Sequence, residues 1–142
     1  MMELLIVLTL TAVVTGLSLG RITSFLAHER VAKAAVGLAT DIQAGFAIPG
    51  RIRRPVRITV DTSKMQLVIT DRAQTTVYRK TAFGSRYNLL PSNVAFYPPA
   101  GTTFEIYPNG FASDSLVITL TASGSSRSIR ATKSGMVQVR PQ

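Results

Sequence analysis

The sequence predicts an α+β protein in which one long N-terminal helix packs on a head of antiparallel β-strands. The N-terminal third contains a long apolar run, then an amphipathic pattern, and no proline before Pro49. The remainder consists of short runs that alternate apolar and polar residues and are rich in Val, Ile, Thr and Tyr, which is typical of strands. The length of 142 residues is enough for one domain of this kind.

The N-terminal apolar run is long enough to cross a bilayer. Residues 4–20 carry no charge, and with the residues before them they reach the roughly 17–25 residues that a membrane-spanning helix needs. A secretory signal peptide is one alternative, but it needs a basic start, and here the start is Met-Met-Glu. A buried core helix is the other alternative, although a small domain rarely needs so long an uncharged helix. We therefore expect residues 1–20 to be transmembrane.

The helix is expected to continue as an amphipathic segment over residues 21–46. Apolar residues separated by three or four positions form one helical face: Val31, Ala35, Leu38, Ile42 and Phe46. The opposite face carries the polar residues His28, Glu29, Lys33, Thr40, Asp41 and Gln43. Pro49-Gly50 predicts the end of the helix. We assign residues 1–48 to the helix and residues 49–142 to a β-rich head.

Eight short runs in the head predict strands. They are residues 55–61, 65–70, 75–80, 94–97, 103–107, 116–121, 127–132 and 136–140. Short segments rich in Asp, Asn, Gly, Pro and Ser separate most of them, and short turns favour antiparallel neighbours. Residues 81–93 have no clear pattern.

The charge distribution and the rare residue types restrict the possible functions. Residues 1–49 contain three basic and three acidic side chains, and residues 50–142 contain 13 basic and four acidic ones, so the whole net charge of +9 lies in the head. There is no cysteine, and the single histidine is His28. These counts exclude disulfides and thiolate metal sites and leave few routes to a catalytic triad. We expect no enzyme activity, no metal and no cofactor, and a solvated His28.

The run Glu3-Leu4-Leu5-Ile6-Val7-Leu8 resembles the start of mature type IV pilins and pseudopilins, in which a glutamate precedes such an apolar run. The segments AAVGLATDIQAGFAIPGRIRRPVRITV and FEIYPNGFASDSLVITLTASGSSRSIRATKSGMVQV resemble the GspH/FimT-type minor pseudopilins. The resemblance covers nearly the whole chain. It implies a pilin-like fold and a structural subunit of a type II secretion pseudopilus or a type IV pilus, which assembles through its N-terminal helix.

Localisation and partners are implied by this resemblance alone. The chain would be a single-pass protein of the bacterial inner membrane, with its head in the periplasm or outside. Its partners would be the membrane and other pilin or pseudopilin subunits. A prepilin peptidase would act on the precursor, whose leader, with its basic residues and the glycine before the cleavage point, is absent from this sequence.

The resemblance also gives Glu3 a role in assembly. In pilin-like filaments the equivalent glutamate is implicated in neutralising the N-terminal amine of a neighbouring subunit, and a carboxylate in a low-dielectric bundle needs such a cationic partner. The alternative is a helix-start acid that the helix dipole stabilises.

DNA binding in natural transformation is the alternative function. FimT-type members that bind DNA resemble each other in a Gly-Arg-x-Arg motif, and the matching residues here, 135–138, contain no arginine. The candidate DNA- or anion-binding residues are Arg127, Arg130, Lys133 and Arg140. Arg127 and Arg130 have opposite strand parity, so we expect them on opposite faces of the sheet. A solvated surface, or contacts to acidic subunits, is the other interpretation of these charges.

A second basic cluster and the tyrosines complete the candidate set for nucleic acid. Arg51, Arg53 and Arg54 precede the first strand, and Arg57 is expected to point outward from it. We expect this cluster to contribute much less to DNA binding than the C-terminal one. The four tyrosines could stack on bases, but they alternate with β-branched residues and are expected to be half-buried. Glu105 and the other head carboxylates show no partner in the sequence pattern.

Overall fold

The computed structural model describes residues 2–87, 89–97, 104–122 and 124–141. In these residues it has one long helix, eight strands and two short helical turns. The helices are α1 (Met2–Ile52) and α2 (Gly84–Tyr87), with a 3-10 turn at Pro91–Asn93. The strands are β1 (Val56–Asp61), β2 (Gln66–Asp71), β3 (Val77–Ala82), β4 (Val94–Tyr97), β5 (Phe104–Ile106), β6 (Leu116–Ala122), β7 (Ser125–Ala131) and β8 (Val137–Pro141).

The strands form two antiparallel sheets. Sheet A has the order β3-β2-β1-β5, and sheet B has the order β4-β6-β7-β8. The predicted strands are confirmed with ends that differ by one or two residues, although position 103 lies outside the described residues. The sequence pattern predicted a sheet-containing head but not its division in two, because the pairing of β1 with β5 joins strands far apart in the chain.

Helix α1 supplies the centre of the core. Val31, Ala35, Leu38 and Ile42 are at most 1% exposed, which confirms the predicted apolar face. The residues they pack with are fully buried side chains of both sheets, among them Leu67, Ile69, Ile118 and Ile129. Each such side chain contributes about 1.5–3 kcal/mol by leaving water, so the two sheets are held together through the helix.

Helix α1 approaches sheet A closely at Gly45. A Cβ atom placed there would lie 3.0 Å from Ile58 Cδ1 and 3.1 Å from Ile69 Cδ1. The absence of a side chain at this position therefore lets β1 and β2 pack directly on the helix backbone.

Asp41 was predicted to lie on the polar face of the helix, and this prediction is wrong because the residue is buried. This residue is only 5% exposed, and its Oδ1 lies 2.5 Å from Arg79 Nη2 of β3. Arg79 pairs in register with the buried Ile69, so the pleat of sheet A directs it toward the helix. A partner 38 positions later in the sequence thus allows the carboxylate to be buried.

The helix also ends later than predicted. It passes through Pro49, where the sequence predicted its end, and extends to Ile52. A proline lacks an N–H donor and its ring crowds the carbonyl four residues earlier, but the residues after it keep their own donors. Arg53 N accordingly donates to Pro49 O at 2.8 Å. Arg53 adopts a left-handed conformation with φ of 54°, which terminates the helix.

The core role of the helix predicts opposite effects of two truncations. Removing residues 1–22 should leave a soluble, monomeric head, because the stripe from Val31 to Ile42 still covers the sheets. Removing residues 1–46 should expose the buried faces of both sheets and cause aggregation. Size-exclusion chromatography and thermal unfolding followed by circular dichroism distinguish the two. Similar behaviour of both fragments would contradict this account of the core.

The Arg79–Asp41 pair predicts unequal costs for removing its two partners. Arg79→Met leaves a buried carboxylate unpaired and should lower the free energy of unfolding by about 1–3 kcal/mol. Asp41→Asn should cost less, because Arg79 is 45% exposed and water can solvate it. Lys80→Met, on the same strand and exposed, is the control and should be nearly neutral. Urea unfolding of the three variants measures this order, and an Arg79→Met cost no larger than that of the control would refute the pair.

Candidate functional site

The N-terminal part of α1 exposes apolar side chains on all its sides. Leu4, Val7, Leu8 and Leu10 are 63–70% exposed, and Val13 is 61% exposed. Successive residues of a helix are rotated by about 100°, so these positions, together with the exposed Ala12, are distributed around the helix. A helix that is apolar all round is found in a protein core or in a membrane, and this segment lies outside the core of the head.

The hydroxyl groups of this segment are satisfied within the helix itself. Thr9 Oγ1 donates to Ile6 O at 2.9 Å, and Thr15 Oγ1 donates to Thr11 O at 2.7 Å. Thr11 Oγ1 donates to Val7 O in the same way, at 2.5 Å. These donors therefore need no water, which suits a segment surrounded by lipid or by other helices.

Two parts of α1 are apolar enough to compare with membrane spans. Phe25–Ile52 is long and apolar enough to cross a membrane by length and composition alone. However, 44% of its apolar 18-residue stretch is buried inside the protein, as expected for the segment that forms the core. Ile6–Gly16 is shorter and exposed. The predicted span over residues 1–20 includes Met1 and the side chains of Met2, Leu5 and residues 17–20, which lie outside the described part of the chain.

Glu3 lies in the first turn of α1 and is exposed. It is the only acidic residue before Glu29 in the sequence. In the described part of the chain no ion pair involves Glu3. A carboxylate in an apolar segment is costly unless it meets a cation or the polar interface.

Arg127 and Arg130 lie on opposite faces of sheet B, as their parity predicts. Arg127 faces the helix, and its Nη2 lies 3.3 Å from His28 Nε2. A guanidinium only donates, so Nε2 accepts this hydrogen bond. Nδ1 then carries the proton and donates to Ser125 Oγ at 3.0 Å. His28 is exposed as expected, but it also joins the helix to the start of β7.

Arg130 and Arg140 share the outer face of sheet B. Arg130 pairs in register with Gln138, and Ser128 pairs with Arg140, so these side chains project from one side of β7 and β8. Arg140 Nη2 also donates to Gln138 Oε1 at 2.9 Å. Lys133 lies instead in the turn between the strands, 3.6 Å from Asp114. The structure thus brings together two of the four predicted basic residues.

Tyr97 belongs to this outer face, although the tyrosines were expected to be half-buried. It is 57% exposed, and it pairs with Val117, which pairs on its other side with Arg130. Tyr78 and Tyr107 are 37% exposed and Tyr87 is partly buried, so the expectation fails only for Tyr97. The alternation in β4 could have identified Tyr97, because it has the parity of the exposed Ala95 and not that of the buried Val94.

Arg57 and Glu105 form a buried ion pair that the sequence pattern did not reveal. Arg57 alternates with the buried Val56 and Ile58 and points away from the core, as expected. Glu105 was expected to lack a partner, but Arg57 Nη2 lies 2.9 Å from Glu105 Oε1. Arg72 Nε approaches the same oxygen at 3.5 Å. The Glu105 side chain is 8% exposed. These two arginines are therefore paired with Glu105, Arg57 with a side chain that is 21% exposed and Arg72 from the surface with one that is 67% exposed. Arg51, Arg53 and Arg54 are exposed.

The remaining head carboxylates serve turns or surface pairs. Asp61 Oδ1 accepts a hydrogen bond from Lys64 N at 3.0 Å. Asp71 accepts from the Thr75 hydroxyl at 2.6 Å and from Thr76 N at 3.0 Å, and these bonds lower the pKa of the Asp71 carboxyl. These roles match the turn function expected for Asp61 and Asp71.

The comparisons with known proteins identify the fold. No protein-family model matches the chain, and no curated protein matches it either. Among solved structures, the chain is similar to the minor pseudopilin EpsH from the type 2 secretion system of Vibrio cholerae, with a TM-score of 0.54 and 10% sequence identity. The match covers 79% of this chain and 97% of the other.

This likeness rests on the shared arrangement of the described elements, since the sequence identity is low. A long N-terminal helix packed on antiparallel sheets is the architecture that the sequence resemblance implied, and that expectation is confirmed. The chain therefore has the α+β fold of a pseudopilin-like protein.

Proposed function

We propose that the protein is a minor pilin-like subunit that assembles through α1 into a type II secretion pseudopilus or a type IV pilus. The observation that carries this proposal is the continuity of α1. Its first part exposes apolar side chains on all sides, and its second part forms the core of the head. One continuous helix thus joins a segment suited to lipid or to a helix bundle with a folded head.

Before assembly, we assign α1 as a single-pass anchor in the bacterial inner membrane with the head in the periplasm or outside. The apolar surface from Leu4 to Val14 favours the bilayer core. The internally bonded threonines remove most of the penalty for polar groups there. The +9 charge of the head residues opposes their entry into lipid.

Assembly transfers this segment from lipid to a bundle of helices from other subunits. Lipid tails are as apolar as leucine, so the transfer gains little hydrophobic free energy, and packing and polar pairing must favour the bundle. Glu3 is the charged group at the start of the segment. A pair between its carboxylate and the N-terminal amine of a neighbouring subunit would supply the missing attraction, because ion pairs are strong where water is excluded.

Replacing Glu3 should separate insertion from assembly. Glu3→Leu removes a charge from the apolar segment, so extraction of membranes with alkaline carbonate should leave the variant in the pellet like the wild type. Its amount in sheared filament fractions should fall at least about tenfold, because removing one partner of a buried ion pair costs several kcal/mol.

Glu29→Gln is the matched control for Glu3→Leu. It removes a carboxylate that already pairs with Lys33 at 3.4 Å on the exposed helix surface, so both insertion and assembly should stay near the wild-type level. If Glu3→Leu is incorporated at the wild-type level, Glu3 has no role in assembly and is only an acid at the helix start that the helix dipole stabilises.

The outer face of sheet B favours DNA binding as a second candidate function. Tyr97 and Arg130 lie in one row across β4, β6 and β7, and Arg140 is on the neighbouring strand. An exposed aromatic ring on the same face as two guanidinium groups can stack on a base while the guanidinium groups contact phosphates. Because Lys133 is paired with Asp114, we expect it to contribute less than the two arginines.

Salt dependence tests this second function. With the full chain in detergent and a labelled DNA duplex, Arg130→Gln combined with Arg140→Gln should weaken binding and lower the slope of log affinity against log salt by about 1.8. The control, Arg53→Gln combined with Arg54→Gln, removes the same charge from the far end of the helix and should do much less. If wild-type binding at low salt does not exceed that of an unrelated protein of equal charge, the protein does not function in DNA binding.

A further inference from the structure

An aromatic pair lies on the surface at the β5 edge of sheet A. Tyr107 N donates to Phe111 O at 2.8 Å, and Gly110 N donates to Tyr107 O at 3.0 Å, which closes a tight turn with Gly110 at a φ of 83°. Next to this turn Ile106 forms a bridge with Ala112, and both residues are buried. Because side chains alternate along a strand, Tyr107 and Phe111 point to the outer face of the sheet, where they are 37% and 55% exposed.

Two arginines lie on the same outer face beside the aromatic pair. Glu105 is two residues before Tyr107, so it shares that face at a distance of about 7 Å along the strand. Arg57 pairs in register with Glu105, and its Nη2 lies 2.9 Å from Glu105 Oε1. Arg72 Nε lies 3.5 Å from the same oxygen. One carboxylate thus holds both guanidinium groups next to Tyr107.

This group of side chains has one positive charge in excess, and it lies on Arg72. The Arg72 side chain is 67% exposed, and in the described residues it pairs with no acid other than Glu105. The carboxylate of the adjacent Asp71 instead accepts hydrogen bonds from Thr75 and Thr76 in its own turn. A guanidinium has five N–H donors, so Arg72 can bind a second carboxylate on its exposed side.

The composition of this surface fits a folded protein better than a nucleic acid. Tyrosine, phenylalanine and arginine are enriched at protein interfaces, and tyrosine and arginine often dominate the binding energy there. The Glu105 carboxylate would repel the closely spaced phosphates of a nucleic acid, whereas a single carboxylate on a protein surface can approach Arg72 from the solvent side.

A second copy of the head cannot supply that carboxylate. Residues 50–142 contain only four acidic side chains, and all four are already hydrogen-bonded or ion-paired. They are Asp61 and Asp71 in turns, Glu105 with its two arginines, and Asp114 with Lys133. Two heads of this chain also repel each other, because the net charge of +9 lies in these residues. The partner is therefore a different protein with an acidic surface.

We propose that Arg72, Tyr107 and Phe111 form a docking surface for the head of a different pilin-like subunit. That subunit presents an unpaired carboxylate to Arg72 and an apolar side chain to the aromatic pair. This inference rests on the proposed function, because it requires the chain to stand among other subunits. Packing of the helices brings the heads together, and complementary charge at this surface then selects which subunit becomes the neighbour.

Photochemical cross-linking of the full chain in intact cells of the native host tests the neighbour directly. Benzoylphenylalanine takes the place of Phe111, whose ring is 55% exposed, so the core is not disturbed. Irradiation should link the chain to a different subunit that has its own N-terminal apolar segment. Mass spectrometry of the linked peptide should find an Asp or Glu close to the linked residue.

Arg72→Gln in the same background removes the proposed contact and leaves the Arg57–Glu105 pair in place. The cross-linking yield should fall at least about tenfold, because truncating one partner of an interface ion pair strongly weakens binding. Thermal unfolding should stay near that of the wild type, because an exposed ion pair adds little stability. The matched control is Lys64→Gln, exposed in the turn at the opposite end of β1 and β2. It loses the same charge and should keep the wild-type yield.

Each outcome decides the proposal. The docking surface is overturned by a cross-link to a second copy of this chain or to nucleic acid, by the absence of any cross-link, or by a yield that Arg72→Gln leaves unchanged. An equal loss in Lys64→Gln shows attraction by net charge only and also overturns it. In these cases the proposed function stands as long as filaments still contain the chain. A wild-type chain that is absent from both membranes and filaments contradicts the proposed function, and the docking surface with it.

Discussion

Burial of one stripe of α1 between two sheets is the interaction on which the rest of the structure depends. Val31, Leu38 and Ile42 are almost completely inaccessible, and they contact residues of both sheets within one core. Two polar contacts between the helix and the sheets lie at the edges of that core. Asp41 lies beside the stripe and pairs with Arg79. His28 lies at the N-terminal end of the stripe and contacts Arg127 and Ser125.

Because the same helix continues beyond the head, its two halves have opposite requirements. The half in the head buries one face and keeps a polar face in water, whereas the first half exposes apolar side chains in every direction. A continuous helix makes the orientation of the head depend on the orientation of the exposed segment. Contacts near the junction, at Leu26 to Arg30, are therefore well placed to influence how the head stands relative to a membrane or to neighbouring subunits.

The local features of the fold could be predicted from the sequence, and the long-range contacts could not. Periodicity identified the buried helix face and all the strands, and strand parity separated Arg127 from Arg130. The burial of Asp41 was not predictable, because it depends on Arg79, which only the pairing of β3 with β2 brings to the helix. In the same way, Glu105 is buried because β1 and β5 pair and place it beside Arg57.

For the candidate site, residue type was more informative than position. Glu3 stands out because it is an acid at the head of an apolar run, but its partner would belong to another chain. The shared face of Arg130, Arg140 and Tyr97 follows from the register of four strands, and no single run of sequence contains that register. Lys133 was grouped with these arginines because it is close to them in the sequence. It lies instead in a turn, where it pairs with Asp114.

The most direct test of the central claim is the reactivity of single cysteines in intact spheroplasts toward a maleimide that does not cross membranes. We predict that Ser134→Cys, exposed in the turn between β7 and β8, is labelled quickly, because the head lies outside the cytoplasm. Leu10→Cys, in the middle of the exposed apolar segment, should be labelled only after detergent is added. Equal labelling of both positions without detergent would contradict the claim that α1 anchors the head in a membrane.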